Sequence, residues 1–180
     1  MKILGAIIAG GQASRFGADK PSALLRGMPL AEHVARALRG QCENLVIVGC
    51  DWPGLTRIED RPHQGEGPLG GLNGALHHAA AHSFDAVLCA GCDTLPVPPN
   101  LTRRLSPGPA VVDNHWLLGL WPSALAGALD SWLNTQADRS IRGFMRHVGA
   151  RHVPFSTSFV NINTPEALAE AEKSYNPQSK

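Results

Sequence analysis

The chain has almost no net charge and few charged residues of either sign. Lysine and arginine together number 16 and aspartate and glutamate 15, so the formal charge is +1, and charged residues make up 17% of the chain. No run of like charges stands out. Nucleic acids and acidic membranes are bound by basic patches, so we expect neither partner. Any electrostatic binding site must be local.

Long apolar runs and cysteines are also scarce. No stretch approaches the roughly 20 apolar residues that span a bilayer, and the apolar segment at the N-terminus is too short for a signal peptide. The four cysteines form neither a secreted disulfide framework nor the two pairs of a zinc site. They are Cys42, Cys50, Cys89 and Cys92. We therefore expect a cytoplasmic protein with reduced, mostly buried thiols.

The two commonest phosphate-binding motifs are missing as well. The chain contains neither Gly-x-Gly-x-x-Gly at a helix start nor the P-loop pattern. Instead, an apolar run over residues 3–9 leads into a glycine-rich segment that reads Ala9-Gly10-Gly11-x4-Phe-Gly-x-Asp-Lys20-Pro. Glycines let a backbone aim its N–H groups at an anion, and Arg15 and Lys20 add positive charge. The pattern predicts a nucleotide phosphate loop; the alternative is an ordinary turn with solvated charges.

Strand and helix patterns alternate along the chain. Apolar, β-branched runs predict buried strands over residues 3–9, 45–48 and 85–90, while helical spacing predicts helices over residues 30–38 and 69–82. Such alternation predicts an α/β fold with a mostly parallel central sheet and helices on both faces. We expect a single domain over residues 1–173, followed by a flexible polar tail over residues 174–180.

Two later segments carry candidate binding groups. The turn that contains Gly67, Pro68 and Leu69 feeds a helix N-terminus, whose free N–H groups can hold a base edge or an anion. The alternative is that its glycines only allow close packing under the helix. Asp93 follows a predicted core strand directly, at the edge where the glycine loop ends. A carboxylate that faces a triphosphate favours Mg²⁺, although Asp93 could also cap the next turn.

A third segment places two asparagines close together. Asn161 and Asn163 are two residues apart in an extended stretch, so their side chains share one face. Paired amides can ligate a metal or hold a phosphate, whereas an asparagine before Thr-Pro is also a normal helix entry.

In the order of its motifs, the chain resembles the molybdenum cofactor guanylyltransferases over nearly its whole length. The motifs are Ile8-Ala9-Gly10-Gly11 through Asp19-Lys20, Ile58-Glu59-Asp60, Gly67-Pro-Leu-Gly-Gly71, Cys92-Asp93-Thr94 and Val160-Asn-Ile-Asn-Thr-Pro165. The resemblance implies a single Rossmann-like nucleotidyltransferase domain that uses GTP and Mg²⁺ to attach GMP to the terminal phosphate of molybdopterin. It also suggests a molybdenum-insertion protein or a molybdoenzyme chaperone as a partner.

The resemblance and the local patterns together give a set of expected site residues. Arg15, Lys20 and Asp93 are expected to be catalytic, and Asp93 and Asn163 to hold the metal. GTP is expected to contact Ile8, Ala9, Gly10, Gly11, Lys20, Asp60, Gly67, Pro68, Leu69 and Asp93. Molybdopterin is expected to contact Arg142, Arg146, Asn161 and Asn163, with Arg139 as a further candidate for its phosphate and Trp116 and Trp121 as candidates beside the pterin.

Two departures from the family pattern stand out. Gly49 replaces the asparagine that relatives commonly have after the second strand, so that nucleotide contact is lost or moves to Asp51. Leu118-Gly-Leu-Trp-Pro122 stands where relatives often have a His-Pro-Thr segment.

Three alternatives stay open from the sequence. A relative that transfers CMP to molybdopterin would have similar motifs, as would an enzyme that acts on a sugar phosphate. A non-catalytic nucleotide-binding carrier is the third.

The histidines at 77, 78 and 82 include an i, i+4 pair, but they lack the glutamate of a metalloprotease helix, so packing is favoured over zinc.

Overall fold

A seven-stranded central sheet organises the protein. The computed structural model describes residues 1–10 and 20–174. The strands are β1 (Ile3–Ile8), β2 (Leu24–Leu25), β3 (Met28–Pro29), β4 (Asn44–Val48), β5 (Thr56–Ile58), β6 (Ala86–Gly91), β7 (Thr94–Leu95), β8 (Ala110–Val112), β9 (His115–Pro122), β10 (Arg151–Val153) and β11 (Val160–Asn161). The order in the large sheet is β10-β8-β9-β6-β1-β4-β5.

The strands of this sheet are mostly parallel. Strand β1 lies in its interior and pairs in parallel with β4 on one side and β6 on the other. Strand β5 extends the parallel set beyond β4, and β10 pairs in parallel with β8. Strand β9 runs antiparallel to both β6 and β8. All six residues of β1 and of β6 are buried, as expected for strands covered on both faces.

Helices cover both faces of the sheet. They are α1 (Leu30–Arg39), α2 (Gly67–Ala81), α3 (Leu101–Leu105), α4 (Ala126–Thr135), α5 (Ile141–His147) and α6 (Pro165–Ser174). Helices α1, α3 and α6 contribute to one buried cluster with Ile3 and Ile7 of β1. Helices α2, α4 and α5 contribute to the other with Leu4 and Ile8. The alternation of side chains along β1 therefore divides its apolar residues between two cores.

Two small sheets complete the fold. Strands β2 and β3 form a short hairpin, and β11 pairs antiparallel with β7 just beyond the C-terminal end of β6. The predicted α/β architecture, with a mostly parallel sheet between two helical layers, is confirmed. The single-domain boundary and the flexible tail stay predictions, because residues 175–180 lie outside the described part. None of the helices in that part has the length and apolarity to cross a membrane.

Candidate active site

Lys20, Asp93 and Asn163 meet at the C-terminal edge of the sheet. The Lys20 ammonium donates to Asp93 Oδ2 at 2.9 Å and to Asn163 Oδ1 at 2.8 Å. Only 13% of the Lys20 side chain and 29% of the Asp93 side chain are exposed. Residues separated by more than 70 positions in sequence therefore form one charged cluster. Arg15 and Gly11 lie outside the described residues.

The small sheet of β7 and β11 holds this cluster together. Asn161 is paired with Thr94, and the Ile162 N–H donates to the Asp93 carbonyl oxygen at 2.8 Å. The Thr94 hydroxyl lies 2.8 Å from Asn161 Oδ1 and 3.2 Å from Asp93 Oδ1. Sequence reasoning missed Thr94, although it stands next to Asp93 in the Cys-Asp-Thr motif. Its hydroxyl links the two predicted segments and orients both side chains.

The oxygen donors of this cluster suit a hard cation. A carboxylate and an amide oxygen already converge on one positive group, the Lys20 ammonium. Magnesium prefers one or two carboxylates together with phosphate oxygens and water. Within residues 1–10 and 20–174, no group of three or more His, Cys, Asp or Glu side chains could hold a metal alone. The donor set therefore fits a metal shared with a phosphate.

A cleft of about 560 Å³ opens beside the cluster, at the ends of β1, β4 and β5. Its lining includes Gly10, Gly49, Glu59, Asp60, Gly67 and Pro68. The Cys92 N–H donates to the carbonyl of Ile8 at 3.2 Å, which ties the start of the Asp93 segment to the strand that leads into the cleft. The predicted nucleotide residues Gly10, Asp60, Gly67 and Pro68 thus share one concave surface.

Asp60 is the carboxyl group of the cleft whose pKa is raised. Burial raises its pKa above the ordinary value, the nearby charges of Glu59 and Glu66 add to the increase, and a hydrogen bond from the Gly65 N–H opposes it. That N–H lies 3.0 Å from Asp60 Oδ2. Because Glu59 pairs with Arg57 at 2.7 Å, Asp60 is the lining carboxylate that has no cationic partner among the described residues.

The comparisons with known proteins fit this geometry. The model of the MobA-like NTP transferase domain matches residues 5–155. The chain belongs to this family. Two curated relatives are molybdenum cofactor guanylyltransferases from Cereibacter sphaeroides, 38% identical over 96% of each chain, and from Acidiphilium cryptum, 34% identical over 92% of each chain.

Solved structures share the fold of this MobA-like transferase. Molybdopterin-guanine dinucleotide biosynthesis protein A from Archaeoglobus fulgidus has a TM-score of 0.73 and 23% identity, covering 94% of this chain and 97% of that one. The 2-C-methyl-D-erythritol 4-phosphate cytidylyltransferase from Thermus thermophilus has a TM-score of 0.65 and 17% identity, covering 93% of this chain and 96% of that one. At these identities the likeness shows the fold alone.

The departure at Gly49 has a geometric cause in this MobA-like chain. Gly49 has a φ of +89°, and a Cβ there would lie 2.4 Å from Gly10 Cα and 2.7 Å from Gly10 N. An asparagine side chain does not fit this backbone. Asp51, to which the nucleotide contact of the missing asparagine was expected to move, is 86% exposed and pairs with Arg57 at 3.1 Å.

The glycines of helix α2 allow close packing, and the start of the helix lines the cleft. A Cβ at Gly71 would lie 3.1 Å from Val48 Cγ1, and one at Gly74 would lie 2.2 Å from the Glu59 carbonyl oxygen, so these glycines allow close packing. Gly67 and Pro68, one turn earlier, line the cleft. The side chain of Leu69 is fully buried and that of Ile8 is nearly so. A nucleotide could reach these two residues only through their backbones.

Of the three arginines near α5, Arg142 and Arg146 lie four residues apart on the helix, whereas Arg139 lies outside it. Arg139 precedes the helix and pairs with Glu66 at 2.9 Å. Arg146 lies 3.9 Å from Asp138. The guanidinium of Arg142 lies over the Trp116 ring, 5.3 Å from its centroid. The expectation that Trp121 borders the pterin is wrong, because Trp121 is completely buried in the core.

The cysteines and histidines also have structural explanations. Cys89 and Cys92 are buried, and burial raises the pKa of the Cys92 thiol to about 12. His77 Nε2 lies 2.7 Å from Asp130 Oδ2, and the rings of His78 and His82 stack with centroids 4.1 Å apart. These contacts agree with unreactive thiols and with packing histidines.

Proposed function

We propose that this nucleotidyltransferase transfers GMP from GTP to the terminal phosphate of molybdopterin, forming the guanine dinucleotide cofactor and releasing pyrophosphate. The observation that carries the proposal is the convergence of Lys20, Asp93 and Asn163 beside the cleft. The curated relatives named molybdenum cofactor guanylyltransferase support this choice of substrates. The cytoplasmic location and the chaperone partner stay predictions.

The charge distribution supports one orientation of GTP. The triphosphate belongs beside Lys20, and the base belongs near Asp60, whose carboxylate has no cationic partner among the described residues. Guanine presents N–H donors at N1 and N2, which an ionised carboxylate can accept. Cytosine offers a single donor group, the N4 amine, next to its N3 and O2 acceptors, so it cannot form this paired contact with the Asp60 carboxylate. Asp60 therefore favours guanine over cytosine.

The reaction needs positioning and charge compensation rather than an amino-acid nucleophile. A phosphate oxygen of molybdopterin attacks the α-phosphorus of GTP, the bond to the bridging oxygen breaks, and pyrophosphate leaves with its electron pair. Lys20 and Arg15 offset the negative charge that builds on the leaving group. Asp93 and Asn163 would hold Mg²⁺, which supplies further neutralisation of phosphate oxygens when bound. The amide of Asn161, linked to Asp93 through Thr94, helps to orient the acceptor side.

The test is product formation by the purified protein. With Mg²⁺, molybdopterin and either GTP or CTP, we expect release of pyrophosphate and a guanine dinucleotide product from GTP, detected by mass spectrometry. Turnover of CTP in preference to GTP would identify a cytidylyltransferase instead. Nucleotide binding without pyrophosphate release, with molybdopterin or a sugar phosphate as acceptor, would indicate a carrier protein.

A further inference from the structure

Strand β9 contains an irregularity at its N-terminal end. Val111 of β8 pairs with Gly119, but the next residue, Val112, pairs with His115, so that Trp116, Leu117 and Leu118 stand opposite a single step of β8. Bulges of this kind re-aim side chains and occur preferentially next to active sites. Here Leu118 stays in the core under α1, whereas Trp116 and Leu117 both pack towards the core under α2, α4 and α5.

The bulge brings Trp116 next to an unbalanced positive charge. Trp116 is partly buried, and the Arg142 guanidinium lies 5.3 Å from its ring centroid. Among the residues that the structure describes, no carboxylate lies within ion-pairing distance of Arg142, whereas Arg139 pairs with Glu66 and Arg146 approaches Asp138. An aromatic face beside a free guanidinium suits a planar ring that carries a negative group.

This pair lies beside the reacting centre, on the side away from the nucleotide cleft. A Cβ at Gly91 would lie 2.7 Å from Asp93 Oδ1 and 2.9 Å from Leu117 Cδ2, so Asp93 and the neighbour of Trp116 flank the same glycine. In the sheet order, β6 separates β9 from β1. Asp93, which follows β6, therefore lies between the cleft at the end of β1 and the Trp116 side chain on β9.

We propose that Trp116 and Arg142 form the platform for the acceptor substrate, with the indole stacking on its planar bicyclic ring and the guanidinium binding one of its anionic groups. The proposal rests on the proposed function for the identity of the acceptor. It explains how an attacking phosphate can be held opposite GTP across Asp93. It also assigns a ligand to Arg142, which pairs with no carboxylate among the described residues, and to the part of Trp116 that the core leaves exposed.

The test is the dependence of the transfer rate on molybdopterin and on GTP separately. We expect Trp116→Ala and Arg142→Ala each to raise the KM for molybdopterin about tenfold, the size typical of a lost ring stack, with the KM for GTP unchanged. Trp116→Phe keeps an aromatic face and should recover most of the affinity. The control Arg36→Ala removes the same charge from α1, on the other face of the sheet.

Two outcomes would overturn the platform in an active enzyme. One is a KM for molybdopterin within twofold of wild type in Arg142→Ala or in Trp116→Ala, with Trp116→Leu taking the place of Trp116→Ala if that variant does not fold. The other is an equal rise in both KM values.

A binding measurement separates this proposal from the proposed function. The difference in emission between wild type and Trp116→Phe isolates the fluorescence of Trp116, which we expect molybdopterin to quench in the absence of GTP. If the wild type quenches but does not transfer GMP, the platform stands and the proposed function fails. If transfer occurs without quenching of Trp116, the function stands and the platform is wrong.

Discussion

Gly49 shows how backbone geometry can fix the identity of one residue. We expect Gly49→Ala to lower the free energy of unfolding by roughly 1–2 kcal/mol for its left-handed φ, and by a further ~1–3 kcal/mol for the contact with Gly10. Gly54→Ala is the matched control, because Gly54 has a φ of +75° with nothing within 4 Å of its Cβ position. Urea unfolding measures the free energy of unfolding of both variants. Equal losses would mean that the close approach of residue 49 to Gly10 does not affect stability.

The perturbed carboxyl of Asp60 predicts a pH dependence of nucleotide binding. The ionised form accepts the guanine donors, and burial, with the charges of Glu59 and Glu66, raises the Asp60 pKa. The affinity for GTP should therefore fall as the pH decreases through that raised pKa, in a less acidic range than for an ordinary aspartate. Calorimetric titration of GTP between about pH 4 and pH 8 checks this. If Asp60→Asn showed the same change of GTP affinity with pH, the change would belong to another titrating group.

Site residues were predictable where the chemistry is local and not where it depends on neighbours. Lys20, Asp93 and Asn163 could be chosen from the sequence because charged and amide groups follow strand ends, and the structure brings them together. The sequence could not indicate that Arg139 pairs with Glu66 or that Trp121 is buried, because both depend on tertiary packing. The roles of all these residues stay predictions.

Helix α2, which carries the cleft residues Gly67 and Pro68, is connected to α4 by a buried polar contact. The completely buried Asn73 donates to Asp130 Oδ1 at 2.6 Å, and His77 lies beside the other oxygen. Burial raises the pKa of Asp130, but the hydrogen bonds and charges of Asn73 and His77 outweigh it and leave that pKa below its ordinary value. The contact positions the helix whose N-terminus meets the cleft.

We expect Asp130→Ala to lower the free energy of unfolding by about 1–3 kcal/mol, because it leaves the Asn73 amide buried without an acceptor. Asp130→Asn retains an acceptor oxygen and should lose less. Because the folded-state pKa is lowered, the stabilisation by Asp130 is present above its unfolded pKa and disappears as the pH falls through the folded value. Thermal melts of the three proteins at neutral and acidic pH test this. If Asp130→Asn lost as much stability as Asp130→Ala, the acceptor role of Asp130 would be contradicted.

Elements with a full period of pattern were predictable, and most of the strands of two or three residues were not. The helices α1 and α2 and the strands β1, β4 and β6 are confirmed within a few residues. The hairpin of β2 and β3 was missed, because strands of two residues carry no periodicity and its turn places Arg26 at a φ of +52°. Strands β5, β10 and β11 have two or three residues each and exist through pairing with β4, β8 and β7.

At the scale of the whole molecule, the order of the strands decides what can react. Six strands of the large sheet run one way, so their C-terminal ends lie at one edge, with the cleft at β1, β4 and β5 and the bulge of β9 beyond β6. Open α/β sheets bind ligands at this edge. Asp93 lies between the two sides, which is the position that a group shared by two phosphate-bearing substrates requires.

The most direct test of the account is the magnesium-dependent kcat of Asp93→Asn for GMP transfer. An amide oxygen can still accept from Lys20, so the variant should fold, but it loses the charge that holds the metal. We expect kcat to fall at least about 100-fold, whereas the control Asp85→Asn, at the opposite end of β6, should match wild type. A kcat for Asp93→Asn within about threefold of wild type, with the same magnesium dependence, would contradict the proposed reaction centre.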